Sequence, residues 1–388
     1  MKKIIFILCA AAVLSCSCCA SRKAAKKTAP PTPSSDYVFG LFDRVSGRDN
    51  TFFSPLSLSL ALSMTATGAE GETYDQMVET LGLGKPTREE LYAQFEALSK
   101  ALAGADTSVV MEIANSIWVD DGFPVRPAFE KGARKHYGAE IGSVDFDSPS
   151  AASRINSWCS DKTHGKIPQV VGETPGWKMA LVNAVYFKAA WEQAFERTVE
   201  GTFKGVDQPS KATFLLRKGF MSYAEDDDYQ MVELQYGERG RFVLDVVLPK
   251  AGFDAAPRLT QARFDTLAAA LGQARVNFKM PEFKIESTLN LADILSAMGM
   301  SRAFTGAAQF GLISELPLMI DNVLQKTYID LDKNGTEAAA VTVVSMRLTS
   351  IGPGHEPAYI DFIADRPFQF VIREKESGTI MFVGQKVK

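Results

Sequence analysis

The chain has 388 residues, 46% of them hydrophobic and 23% charged, with a formal net charge of -4. That balance suits a globular protein with a sizeable core, and no basic patch interleaved with aromatics argues for nucleic acid. Its three histidines, His136, His164 and His355, are not paired at ligand spacing, and no nucleophile elbow, phosphate loop or dinucleotide fingerprint occurs. Neither a metal, a cofactor nor an enzymatic site is therefore expected.

The N-terminus reads as separable. Lys2 and Lys3 precede the apolar run from Ile4 to Leu14, which is too short to span a membrane and is shaped like an export signal. Val13-Leu14-Ser15-Cys16 is similar to a bacterial lipobox. Removal of residues 1–15 would leave Cys16 first and lipidated; Cys18 and Cys19 are weaker candidates, and a plain signal with incidental cysteines is the alternative. Lipid on one cysteine anchors a protein at a membrane surface without a spanning helix. Residues 16–35 are rich in Lys, Ala, Pro and Ser and read as a flexible tether. The expected location is outside the cytoplasm, anchored and facing the periplasm or the cell exterior. Cys159 is the single cysteine of the body, so no disulfide framework is expected; it reads as a small buried hydrophobe.

One domain follows, over 36–388. Asp36 caps an amphipathic helix carrying Tyr37, Phe39, Leu41, Phe42 and Val45. Ser54-Pro55 starts a helix to about Gly68 that is apolar all round, as a buried helix should be. Further helices are predicted from Glu72 to Leu81 and from a Thr87/Glu90 capping box to about Ala103. Val109 to Val119 and Met179 to Phe187 are strands with little alternation, as expected where both faces are covered; Asn183 is a polar residue inside the second and needs partners. Pro127 to Tyr137 and Pro149 to Thr163 read as helices, Ile141 to Phe146 as a short strand. Strands are predicted over Phe214 to Tyr223, Tyr229 to Leu234, Arg241 to Leu248, Arg275 to Met280 and Phe283 to Leu289, with helices over Thr260 to Leu271 and Leu291 to Met298. Val323 to Leu331, Ile360 to Ile363, Phe368 to Ile372 and Thr379 to Val387 complete the strands. Helices crowd the first half and strands the second, an α+β arrangement.

Between those last strands lies KNGTEAAAVTVVSMRLTS, Lys333 to Ser350. Its β-branched run is strand-ready, yet the loop signature Gly352-Pro353-Gly354 follows. It reads either as an ordinary sheet strand or as a strand held in a loop. In an extended chain, Thr336, Ala338, Ala340, Thr342, Val344 and Met346 share one face, and Glu337 and Arg347 lie on the other.

Six blocks, in order, carry a resemblance to the serpins: Asn50 to Met77, NSIWVDD (Asn115 to Asp121), INSWCSDKTHGKIPQVV (Ile155 to Val171), LVNAVYFKAAWEQAF (Leu181 to Phe195), NGTEAAAVTVV (Asn334 to Val344) and ADRPFQFVIREKESGTIMFVG (Ala364 to Gly384). The resemblance implies helices packed around a large mixed main sheet with two smaller sheets, and an exposed reactive loop over about 335–359. It implies an inhibitor of serine-type, and possibly also cysteine, endopeptidases, acting as a monomer. The target cleaves the loop, forms an acyl-enzyme, and is trapped covalently as the loop enters the main sheet. A non-inhibitory binding protein of the same fold is the alternative.

Site residues follow from the resemblance. The hinge is Gly335, Thr336, Glu337, Ala338, Ala339, Ala340 and Thr342, without the bulky or charged inward residues of members that have lost inhibition. Family spacing puts the reactive bond at Thr349-Ser350, with Met346, Arg347 or Leu348 in neighbouring registers. Thr suits an elastase-like or subtilisin-like pocket, Arg a trypsin-like one, Leu or Met a chymotrypsin-like one. Ser54, Ser57, Asn183 and Gln325 match the cluster that governs opening of the main sheet. Gln325 stands where many members have His, and cannot become charged. At the breach, Trp191 should pack beneath the hinge, and Lys333 and Glu282 reverse the signs of a common side-chain ion pair.

Overall fold

The computed structural model describes residues 35–256, 258–337 and 358–388. Cys16, the tether up to residue 34, and the loop positions Ala338, Ala339, Ala340, Thr342, Met346, Arg347, Leu348, Thr349 and Ser350 lie outside those residues, while Ser35, assigned to the tether, opens the helix Ser35–Val45.

The chain builds around the helix Pro55–Ala66, every residue of which is buried. Ser54 caps it by accepting the Ser57 N–H, and Pro55 occupies the first turn, where its missing N–H costs nothing. A hydrophobic face all round leaves such a helix no place but the interior. The Thr87/Glu90 capping box forms as expected and starts the helix Arg88–Ala105.

Two sheets enclose this core. The six-stranded main sheet runs, edge to edge, Phe283–Asn290, Asn322–Leu331, Gly335–Thr336, Met179–Ala190, Val110–Asp120 and Glu140–Val144. Asn322–Leu331 also pairs directly and in parallel with Met179–Ala190, from Asn322/Ala180 to Thr327/Val185. The inner face packs on the main core through Leu181, Val185, Phe187, Val323 and Ile329. The outer face is roofed by the helix Pro149–Lys162, where Trp118, Ile155, Cys159, Val182 and Tyr328 form a second cluster. Covered twice, the central strand has no reason to alternate, which is why MALVNAVYF is apolar almost throughout. Burial pushes the Cys159 thiol up to about 12, consistent with an inert packing residue.

The remaining strands make one nine-stranded sheet. Its long strand Pro209–Glu225 pairs with Arg197–Lys204, Tyr229–Tyr236 and Gly272–Pro281, and so joins what would otherwise be two smaller sheets. Arg197–Lys204 is absent from the sequence reading because its residues are almost all exposed, leaving Phe203 as its one buried side chain. The helix expected over Leu291 to Met298 is shorter: Ala292–Leu295 gives way to a wide turn, Ser296–Met300, broken at Gly299 (φ +124°). Among the described residues, no helix is long and apolar enough to cross a membrane.

Candidate functional site

The two central strands of the main sheet part company above Val185 and Thr327. Into that opening comes Gly335–Thr336, paired with Ala190 and Ala189 on one side and, through Thr336, with Leu331 on the other. Asp332 shapes the approach: its Oδ1 accepts the N–H groups of Asn334 (2.6 Å) and Gly335 (3.1 Å). Gly335 takes φ +149°, and a Cβ there would stand 2.2 Å from the Ala189 carbonyl oxygen. Only glycine fits so close to a neighbouring backbone.

Thr336 is 1% exposed, and its hydroxyl lies 2.7 Å from that of Tyr236. Tyr236 stacks on Trp191 with ring centroids 4.3 Å apart. The Trp191 indole donates to the Asp332 carbonyl at 2.9 Å, and its backbone N–H donates to that of Asn334 at 2.9 Å. Trp191 thus packs against the Asp332–Thr336 segment. Burial holds the Tyr236 phenol well above its ordinary pKa, so it remains a neutral partner for Thr336. After Thr336 the strand stops. Glu337 adopts φ +53°, rare for a residue with a Cβ, while its N–H still donates to the Asp330 carbonyl at 2.9 Å.

Lower in the sheet, the four expected polar residues come together, fully buried. Gln325 Nε2 donates to the Ser54 carbonyl (2.9 Å) and to Asn183 Oδ1 (2.8 Å), while Gln325 Oε1 accepts the Ser54 N–H (2.8 Å). Asn183 Nδ2 donates to the Ser57 hydroxyl and, at 2.6 Å, to Asn115 Oδ1. Ser54 Oγ donates to the Met381 carbonyl at 2.7 Å. One network therefore ties the central strands to the buried helix, the neighbouring strand and the C-terminal strand. A satisfied network of this kind fixes one arrangement, and breaking it leaves buried groups unpaired.

The breach pair differs from expectation. The Glu282 carboxylate accepts the backbone N–H of Lys333 at 3.2 Å, and the Lys333 side chain is exposed. Burial raises the Glu282 pKa, against the opposing pull of the Lys333 N–H and of the Lys333 charge. The contact fixes the main chain at the hinge entrance and does not depend on a cation at position 333, so the side-chain pair of swapped polarity is corrected to a carboxylate–backbone contact.

Tyr236, Asn115 and Asp332 were missed in the sequence. Tyr236 ends a strand read as stopping at Leu234, and its partner Thr336 is 100 positions away. Asn115 was in view within NSIWVDD, but nothing local shows that it faces Asn183.

A family model described as "Serpin (serine protease inhibitor)" matches residues 33–388. A serpin-like protein of Thermococcus kodakarensis is 33% identical over 358 residues, covering 90% of this chain and 83% of its own. Serpin-Z2A of Triticum aestivum is 33% identical over 368 residues, covering 88% and 90%. Among solved structures, the thermophilic serpin Tengpin in its native state superposes with a TM-score of 0.81 at 30% identity, over 91% of this chain and 92% of that one. Human thyroxine-binding globulin complexed with its ligand gives 0.82 at 26%, over 91% and 96%.

Proposed function

Because the chain belongs to the serpin family, we propose that it inhibits serine-type endopeptidases by offering its loop for cleavage and then drawing that loop into the main sheet. The observation that carries this reading is Gly335–Thr336 already seated between the two central strands. At that level Gly335–Thr336 takes the place of one strand, paired with Ala189 and Ala190 on one side and with Leu331 on the other.

Continuing the register of those two residues indicates what insertion requires. On insertion Ala338 would fall between Phe187 and Ile329, Ala340 between Val185 and Thr327, and Thr342 between Asn183 and Gln325, by extension of the Gly335–Thr336 register. The first two neighbours face the packed core, where a bulky or charged arrival is costly; alanine is neither. Thr342 brings a hydroxyl to the polar network just where the Asn183–Gln325 hydrogen bond must part. About a dozen new ladder bonds at about 1 kcal/mol each give on the order of 10 kcal/mol, enough to drag a tethered protease out of its working geometry.

The cleaved bond on this reading is Thr349-Ser350, which suits an elastase-like or subtilisin-like target, with Arg347 as the neighbouring register for a trypsin-like one and Met346 or Leu348 for a chymotrypsin-like one. The lipobox at Cys16 supports an exported, membrane-anchored inhibitor that meets proteases outside the cytoplasm. The test is titration of trypsin, pancreatic elastase and subtilisin, with mass analysis of the released C-terminal peptide. Irreversible loss of protease activity near equimolar ratio, with a peptide beginning at Ser350, is expected. The likeness to thyroxine-binding globulin favours a second reading, a small-molecule carrier; digestion of the loop with full retention of protease activity selects it.

A further inference from the structure

Among the described residues, two that are not glycine adopt positive φ: His164 (+52°) and Glu337 (+53°). They are far apart in sequence, yet both belong to one cluster on the outer face of the main sheet. Such conformations cost free energy and persist where surrounding contacts impose them, often at points that switch.

The contacts can be named. Lys166 Nζ lies 3.2 Å from Glu337 Oε1, whose side chain is only 6% exposed. That oxygen has no well-directed hydrogen bond, so the contact is ionic. The Tyr186 hydroxyl lies against the same carboxylate; burial first, and that carboxylate second, push the phenol well above its ordinary pKa. The His164 ring packs edge-on against Tyr186, centroids 4.8 Å apart, and its Nε2 is 2.9 Å from Glu112 Oε2. Lys166 also sits over the Tyr328 ring at 5.7 Å.

The placement matters. Tyr186 and Tyr328 belong to the two central strands, immediately below the paired hinge residues. His164 and Lys166 belong to the segment that leaves the roofing helix Pro149–Lys162. The chain following Thr336 must pass between those tyrosines if it is to continue down the sheet. Glu337, the first residue after Thr336, is held by its side chain, and its φ of +53° departs from extended strand geometry.

Resting on the inhibitory reading above, we propose that Lys166 is a positioning residue that catches Glu337 and arrests the hinge after two residues, so that insertion begins only when this ion pair parts. The pair is half-open to solvent on the lysine side, with Lys166 43% exposed, so its hold is modest. Loss of it should speed insertion roughly two- to fivefold, the range of a partly exposed ion pair.

The experiment cuts the loop with a metalloprotease, which forms no acyl-enzyme, and follows Trp191 fluorescence as the hinge beside it moves. Thermal melts of the cut protein report whether insertion is complete. Lys166→Met and Glu337→Gln should each insert faster than the parent, and the reversed pair Lys166→Glu/Glu337→Lys should return toward the parental rate. The melting midpoint of the fully inserted form should be unchanged in Lys166→Met, which a merely structural role for Lys166 would not predict. Insertion at parental rate in both single variants overturns the catch and leaves the inhibitory reading standing. A cut parent that shows neither fluorescence change nor gain in thermal stability overturns both.

Discussion

Gly335 concentrates the steric argument. Its φ and the 2.2 Å approach of a hypothetical Cβ to the Ala189 carbonyl mean that any side chain must push the hinge out of the sheet or the strand aside. Gly335→Val should therefore slow or abolish trapping while leaving cleavage of the loop intact, so a protease assay should show the variant consumed as substrate. Efficient trapping by this variant would remove Gly335 from the account. The neighbouring Thr336 is held differently, by the Tyr236 hydroxyl and the stacked Trp191. Glu282 secures the entrance by accepting a backbone N–H.

At the level of strands and their pairings, the nine-stranded sheet contains a charged cluster with a pH consequence. Glu233 and Asp245 lie directly opposite each other on adjacent strands. Between them Arg373 donates to Asp245 at 2.6 Å and to Glu233 at 2.8 Å, while Lys375 reaches Glu233 at 2.6 Å. Burial pushes Asp245 up to about 6, with the Arg373 charge pulling against it. A folded pKa above the unfolded value means the folded state binds the proton more tightly. That contribution to stability is full below about pH 4 and is lost as pH rises through 6. Wild type should thus lose stability relative to Asp245→Asn between pH 5 and pH 7.5, read as thermal midpoints; a pH-independent difference contradicts the assignment. In the polar network of the main sheet, by contrast, Gln325 carries no titrating group.

What was legible in the sequence follows the same physics. The strand Met179–Ala190 and the helix Pro55–Ala66 announce themselves because burial on every side demands apolar residues at every position. The segment after Gly335 stands out in the sequence because Thr336, Ala338, Ala340 and Thr342 recur at every second position, small side chains of the kind that the proposed insertion would require. Arg197–Lys204 does not, since an exposed strand needs no apolar face. The charges of Lys333 and Glu282 can be read, but not that the carboxylate takes the main-chain N–H rather than the ammonium. Tyr236 and Lys166 are hidden because their meaning lies in partners 100 and 171 positions away, and no local pattern encodes that distance.

For the molecule as a whole, the two sheets share a core but serve different ends. The nine-stranded sheet, closed by aromatic contacts such as Phe52 with Phe370 and Phe382, holds the frame. The main sheet has one weak line, between Asn322–Leu331 and Met179–Ala190, secured by a polar network below, a seated hinge above and the helix Pro149–Lys162 across it. On the proposed reading, the seam beside Gly335–Thr336 is where the main sheet would take up a further strand. Denaturing gel electrophoresis after incubation with trypsin, elastase and subtilisin puts this to the test. Trapping yields, with at least one of the three, a band that survives boiling in detergent and carries the protease joined to the chain up to the cleaved bond. Complete cleavage of the loop by all three, with no such band and with the proteases still active, contradicts it.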